Sequence, residues 1–110
     1  MDVVNVANRY FASMRGRDLE ALIGLFSTDA AFVLPDGREI AGIAAIRQTY
    51  TNLFAAAAPS PTPIAMIAGA QAIAVEIETR LADGSVRRTA NFFHLDAGGF
   101  IRRLSVYARG

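Results

Sequence analysis

The sequence contains no cysteine and only one histidine, His94. Neither a disulfide framework nor a thiolate metal site is available, and a lone histidine is a poor start for any dedicated metal site. Excess charge is missing too. Its 11 basic and 10 acidic side chains leave a formal charge of +1, too weak a field to argue for nucleic acid or an anionic membrane as partner. No stretch approaches the roughly twenty apolar residues of a membrane span, and Met1-Asp2-Val3-Val4-Asn5 lacks the basic start and apolar run of a signal peptide. Glycine-rich phosphate loops and a nucleophile elbow are absent. The expectation is a cytoplasmic protein without metal or cofactor, whose partners are small neutral molecules or protein.

What the sequence does have is apolar surface. Hydrophobic residues make up 53% of 110, high for a chain that should form one domain over residues 1–110, and consistent with burial in a pocket or a subunit interface. Val3, Val4, Ala7, Tyr10, Phe11 and Met14 recur at helical spacing, with Gly16 where a helix commonly stops. Asp18 is placed to cap a second helix with Leu19, Leu22, Ile23 and Phe26 on one side, ending at Ser27-Thr28-Asp29, where Asp29 braces the step into a strand. Ala31 to Leu34 reads as that strand, turned by Pro35-Asp36-Gly37 so that Phe32 faces Ile40. Ile43, Ile46, Tyr50, Leu53 and Phe54 mark a third helix. Three prolines between Ala55 and Pro63 exclude regular structure there and indicate a crossover loop.

From Ile64 the pattern changes to period two. Ile64–Ala70, Ala72–Leu81, Val86–Leu95 and Phe100–Arg109 form a four-stranded meander, giving an α+β fold. A three-residue loop at Ala82-Asp83-Gly84 sets Val75 across from Asn91, Ile73 across from Phe93 and Glu78 across from Arg88. A two-residue loop would bring Glu76 beside Asn91 instead. The first register is preferred because it pairs charges outside and keeps Ile73, Val75 and Ile77 inside. Asn91, Phe93 and Leu95 then share one face, with Ala90, Phe92 and His94 on the other. Both faces are largely apolar, so helices should cover one and a second copy of the sheet the other. That parity puts His94 at the interface, and it splits Arg87-Arg88 and Arg102-Arg103 between faces, which removes any basic stripe.

Asp18-Leu19-Glu20-Ala21-Leu22-Ile23-Gly24-Leu25-Phe26, then Asp29-Ala30, then Gly42-Ile43-Ala44-Ala45-Ile46-Arg47-Gln48-Thr49-Tyr50, in this order of elements, resemble the nuclear transport factor 2-like superfamily and its ketosteroid isomerase and SnoaL-like branch. The resemblance implies a cone: a curved antiparallel sheet wrapped around three helices, a cystatin-like α+β roll, with an apolar cavity inside and a homodimer through the outer sheet face. In ketosteroid isomerase a tyrosine and a protonated aspartate form the oxyanion hole and a second aspartate is the general base. Carried over, Tyr10 and Asn91 are the catalytic hydrogen-bond donors, an amide N–H replacing the neutral acid. Leu34, before Pro35, stands where the family has its base, and leucine accepts no proton. Asp36, Glu39 and Glu76 are substitutes in principle, but turn chemistry and strand parity give each a structural role.

The functional expectation is a protein that binds a hydrophobic carbonyl compound, steroid- or polyketide-like, between walls supplied by Phe26, Leu34, Tyr50, Val75, Phe93 and Leu104. Isomerase or cyclase chemistry would proceed through enolate stabilisation with the base drawn from water or substrate. The alternative is a non-catalytic binding or dimerisation module of the same fold, which Leu34 favours. Epoxide hydrolysis would need an acid pair that the sequence does not offer.

Overall fold

The computed structural model describes residues 1–109, in which three helices lie in the hollow of one six-stranded curved sheet. Helix α1 spans Val3–Gly16, with the Asp2 carboxylate accepting from the Asn5 N–H at 2.9 Å. Val3, Val6, Ala7, Tyr10 and Phe11 form its buried stripe. It ends one residue later than the glycine suggested: Arg17 itself adopts the left-handed conformation at φ 50°, and the Arg17 and Asp18 N–H groups return to the Met14 and Ser13 carbonyls. This paired closure satisfies the last carbonyls of the helix.

Helix α2 covers only Leu19–Ile23, capped as expected by Asp18 on the Ala21 N–H at 3.1 Å. The chain then enters strand β1, Phe26–Val33, well before the expected start at Ala31. Phe26 continues the helical spacing of Leu22 and Ile23, yet its backbone pairs with Ile101, 75 positions on. Tertiary pairing overrides the local pattern here. Ser27 helps, its hydroxyl donating to the Ile101 carbonyl at 3.3 Å. Asp29 is exposed on the irregular part of this strand and braces nothing.

Strand β2 (Glu39–Ala41) pairs with β1 with Phe32 opposite Ile40. Helix α3 (Ile43–Ala55) follows and buries Ile46 and Tyr50. Strands β3 (Thr62–Ala68), β4 (Ala72–Arg80), β5 (Val86–Leu95) and β6 (Ile101–Ala108) complete the sheet in the order β2-β1-β6-β5-β4-β3. Every pairing is antiparallel except β1 with β6. The loops before Arg38, Ser85 and Phe100 repeat one chemistry: three residues whose last is a glycine at φ 86–89°, closed by a bond across the strand ends such as Leu81 N–H to the Ser85 carbonyl at 2.9 Å. That is a type I turn completed by a left-handed residue, a loop that fixes register.

The β4–β5 register is Ile73 with Phe93, Val75 with Asn91 and Glu78 with Arg88. Glu76 therefore pairs with Ala90 on the outer face. The inner face carries Ile73, Val75, Ile77, Phe93, Leu95, Ile101 and Leu104, all 2% exposed or less, against α1 and α3.

Candidate functional site

The helices fill the closed end of the cone and leave its other end open. There a cavity of about 350 Å³ lies between α1, α3, the loop that follows α3 and the inner face of the sheet. Tyr10 reaches it from the buried stripe of α1. Its ring packs edge-on against Phe93 at 5.0 Å between centroids, and its hydroxyl bonds that of Tyr50 at 2.7 Å. Burial pushes the Tyr10 phenol up to about 12, the Tyr50 bond opposing part of that rise. Burial, then the neighbouring Tyr10, raises the Tyr50 phenol as well. Both therefore stay neutral O–H groups near pH 7. Tyr50 is almost wholly enclosed by aromatic neighbours, so once its proton points to the Tyr10 oxygen, the Tyr10 proton is free to face the cavity.

Asn91 stands two residues before Phe93 on the same face of β5, roughly 7 Å along the strand. The residue is 5% exposed and borders the cavity. Among the described residues its amide meets no hydrogen-bond partner, and none of its polar atoms is sealed from solvent without one. An amide that opens onto a cavity is a donor available to whatever enters it. Leu34 and Phe32 form the facing wall from β1, and Met14, Leu53, Phe54 and Val106 extend the apolar lining. Thr79 and Thr89 add hydroxyls toward the mouth, which Arg17, Arg87 and the segment Ala58 to Pro61 surround.

Tyr10, Asn91 and Leu34 thus come together on one cavity. Phe26, Tyr50, Val75, Phe93 and Leu104 do not reach its surface. They are 5% exposed or less and spend their side chains on one another in the core behind it. Four of them lie on the sheet and Tyr50 on α3, and all five stand deeper in the cone, where the helices already occupy the hollow. Sequence patterning missed Thr79 and Thr89, which look like ordinary strand residues, and it weighed Arg87 only as a nucleic-acid contact. The hydroxyl partnership of Tyr50 was also missed; a hydroxyl-bearing ring on an otherwise apolar helix stripe was the one available signal.

Among the described residues no carboxylate, imidazole or amine lines the cavity. Asp36 is exposed and held in its turn by Arg38, whose N–H and guanidinium keep its carboxyl below the usual range. Glu39 lies on the outer face near Arg103, and Glu76 lies on the same face four strands away, opposite Ala90. Among the described residues no cluster of three potential metal ligands occurs, and no helix is long and apolar enough to cross a membrane.

The family model of the SnoaL-like domain matches residues 7–104. No curated protein is significantly similar to the chain. Solved structures supply likenesses of fold. A protein of unknown function with a cystatin-like fold from Methylobium petroleophilum superposes with a TM-score of 0.84 at 21% identity, over 98% of this chain and 76% of that one. A ketosteroid isomerase-like protein from Kribbella flavida gives 0.83 at 21% identity, over 96% and 76%. A polyketide cyclase-like protein from Sinorhizobium meliloti gives 0.80 at 24% identity, over 93% of each chain.

Proposed function

The chain belongs to the SnoaL-like domain family, and from that premise we propose that it binds a small hydrophobic carbonyl compound in the open end of the cone, holding the ligand oxygen between Tyr10 and Asn91. The observation that carries this reading is Asn91, a residue 5% exposed whose amide borders the cavity and has no hydrogen-bond partner among the described residues. A ligand oxygen there receives an N–H from Asn91 and an O–H from Tyr10, whose oxygen is in turn supported by Tyr50. Two such donors stabilise charge that develops on a carbonyl, the electrostatic part of enolate chemistry.

Proton transfer is a separate matter. With Leu34 on the wall and no carboxylate beside it, a step worth roughly 10²–10⁴ in rate has no base from the described residues. Polarisation of a carbonyl whose proton moves to water or within the substrate fits this wall, in keeping with the cyclase-like and isomerase-like proteins of the same fold. The same Leu34 also supports the second reading, binding without chemistry.

Phe92, Tyr107 and Ile67 lie exposed on the outer sheet face, and we assign that face to a second copy of the chain. The test of the site is a fluorescence titration with an equilenin-like phenolic steroid. Micromolar binding, weakened tenfold or more in both Asn91→Ala and Tyr10→Phe, is expected; equal affinity in both variants would refute the oxygen site. Leu34→Asp then separates the two readings. Turnover of a β,γ-unsaturated ketone by that variant supports a site built for enolate chemistry, whereas binding without turnover supports the non-catalytic module.

A further inference from the structure

The cavity is polar at two depths. Tyr10 and Asn91 lie inside it, and its mouth carries Arg17 and Arg87 with no acidic residue anywhere on the wall. Resting on the reading of the oxygen site above, we infer that the ligand is an anion: an apolar body with a hydrogen-bonding oxygen at one end and a carboxylate at the other, the carboxylate received by Arg17 and Arg87.

The two arginines belong to one rim. Arg17 donates to the Ala58 carbonyl at 2.8 Å, and four residues later Thr62 pairs with Glu78 on β4. The next residue of β4, Thr79, stands opposite Arg87. Each arginine also shares an element with a donor of the inner site, Arg17 as the C-cap of α1 and Arg87 on β5. Seven residues of helix separate Tyr10 from Arg17, roughly 10 Å; four residues of strand separate Asn91 from Arg87, roughly 13 Å. Helix and strand thus give similar spans between inner donors and rim charges, and between them lie the apolar side chains of Met14, Phe54 and Val106.

Neither guanidinium is neutralised. The ion pairs of the described residues use Arg38, Arg47, Arg88 and Arg103, leaving Arg17 and Arg87 without a carboxylate. Arg17 is moreover held in place. It occupies a left-handed position that glycine would take with less strain, while its side chain is tied to Ala58 and lies 5.9 Å from the Phe54 ring centre. A planar fork so fixed suits the two oxygens of a carboxylate. A phosphate is usually cradled by backbone N–H groups, and this rim is poor in them, since Pro35, Pro59 and Pro61 have none.

Hexanoic acid carrying a para-hydroxyphenyl group on its terminal carbon, and the methyl ester of that acid, test this, because they share the phenol and the chain and differ in the charge. Binding of both to wild type, Arg87→Gln and Asn91→Ala is measured by calorimetry at low salt. The acid is expected to bind roughly tenfold tighter than the ester, as an exposed charge-assisted contact warrants. That ratio should fall toward one in Arg87→Gln and with added salt. An ester that binds as well as the acid, with both weakened by Asn91→Ala, overturns the anion site and leaves the oxygen site standing. Binding of the acid that ignores Asn91→Ala, or of neither probe, overturns the oxygen site and this inference with it.

Discussion

At the level of single residues, the site depends on two tyrosines that do not ionise. Tyr10 and Tyr50 share one short hydrogen bond in an aromatic enclosure, and burial holds both phenols above their ordinary value, Tyr10 at about 12. The unfolded chain loses those protons near pH 10. A group whose folded pKa is raised contributes stability that is complete below the unfolded value and is lost as pH climbs toward the folded one. The protein should therefore keep its far-ultraviolet dichroism to about pH 10 and lose it between 10 and 12, with phenolate absorbance appearing in step. Full ionisation near pH 10 with the fold intact would contradict the burial of the pair. That Tyr10, Leu34 and Asn91 border one cavity was legible because the family resemblance fixes their places along the chain. The threonines and arginines of the mouth were not. Only the turn at Arg17 and the register opposite Thr79 bring them to one rim, and both are long-range consequences of packing.

Elements were legible in proportion to how local their causes are. The Asp-Gly and Gly-Gly turns set three-residue loops, and with them the pairing of Val75 with Asn91 that aims the amide inward. In contrast, the early start of β1 and its parallel pairing with β6 depend on residues 75 positions apart, which no local period reveals. The register argument has a direct consequence at Gly84, whose φ of 87° excludes β-branched side chains. Gly84→Val should cost about 1–3 kcal/mol in denaturant unfolding and weaken ligand binding by loosening β5. Gly16→Ala, which has open space around its Cβ and an ordinary helical backbone, should stabilise α1 by about 1 kcal/mol. Equal stabilities for the two variants would contradict the turn assignment.

For the molecule as a whole, the sheet has two faces with different tasks. The inner one is closed by helices except at the cavity, and the outer one is left with Phe92 at 39% exposure, Tyr107 at 60% and Ile67 at 72%. Phe92→Glu should convert the proposed dimer to a folded monomer in analytical ultracentrifugation; a wild-type chain that is monomeric at tens of micromolar would contradict the assignment. His94 lies on this face, opposite Ala72 on β4 and Arg103 on β6. Partial burial, followed by the charges of Arg102 and Arg103, lowers its pKa. Its contribution is thus present above about pH 6.5 and is lost as pH falls further, so acid should weaken both fold and dimer.

Of all these measurements, the resonance of the Asn91 side-chain amide tests the central claim most directly. In a ¹⁵N-labelled sample, with the signal assigned through its loss in Asn91→Ala, saturation by the phenolic steroid should move one amide proton downfield as it bonds the ligand oxygen. Ligand binding that leaves this resonance in place would contradict the site.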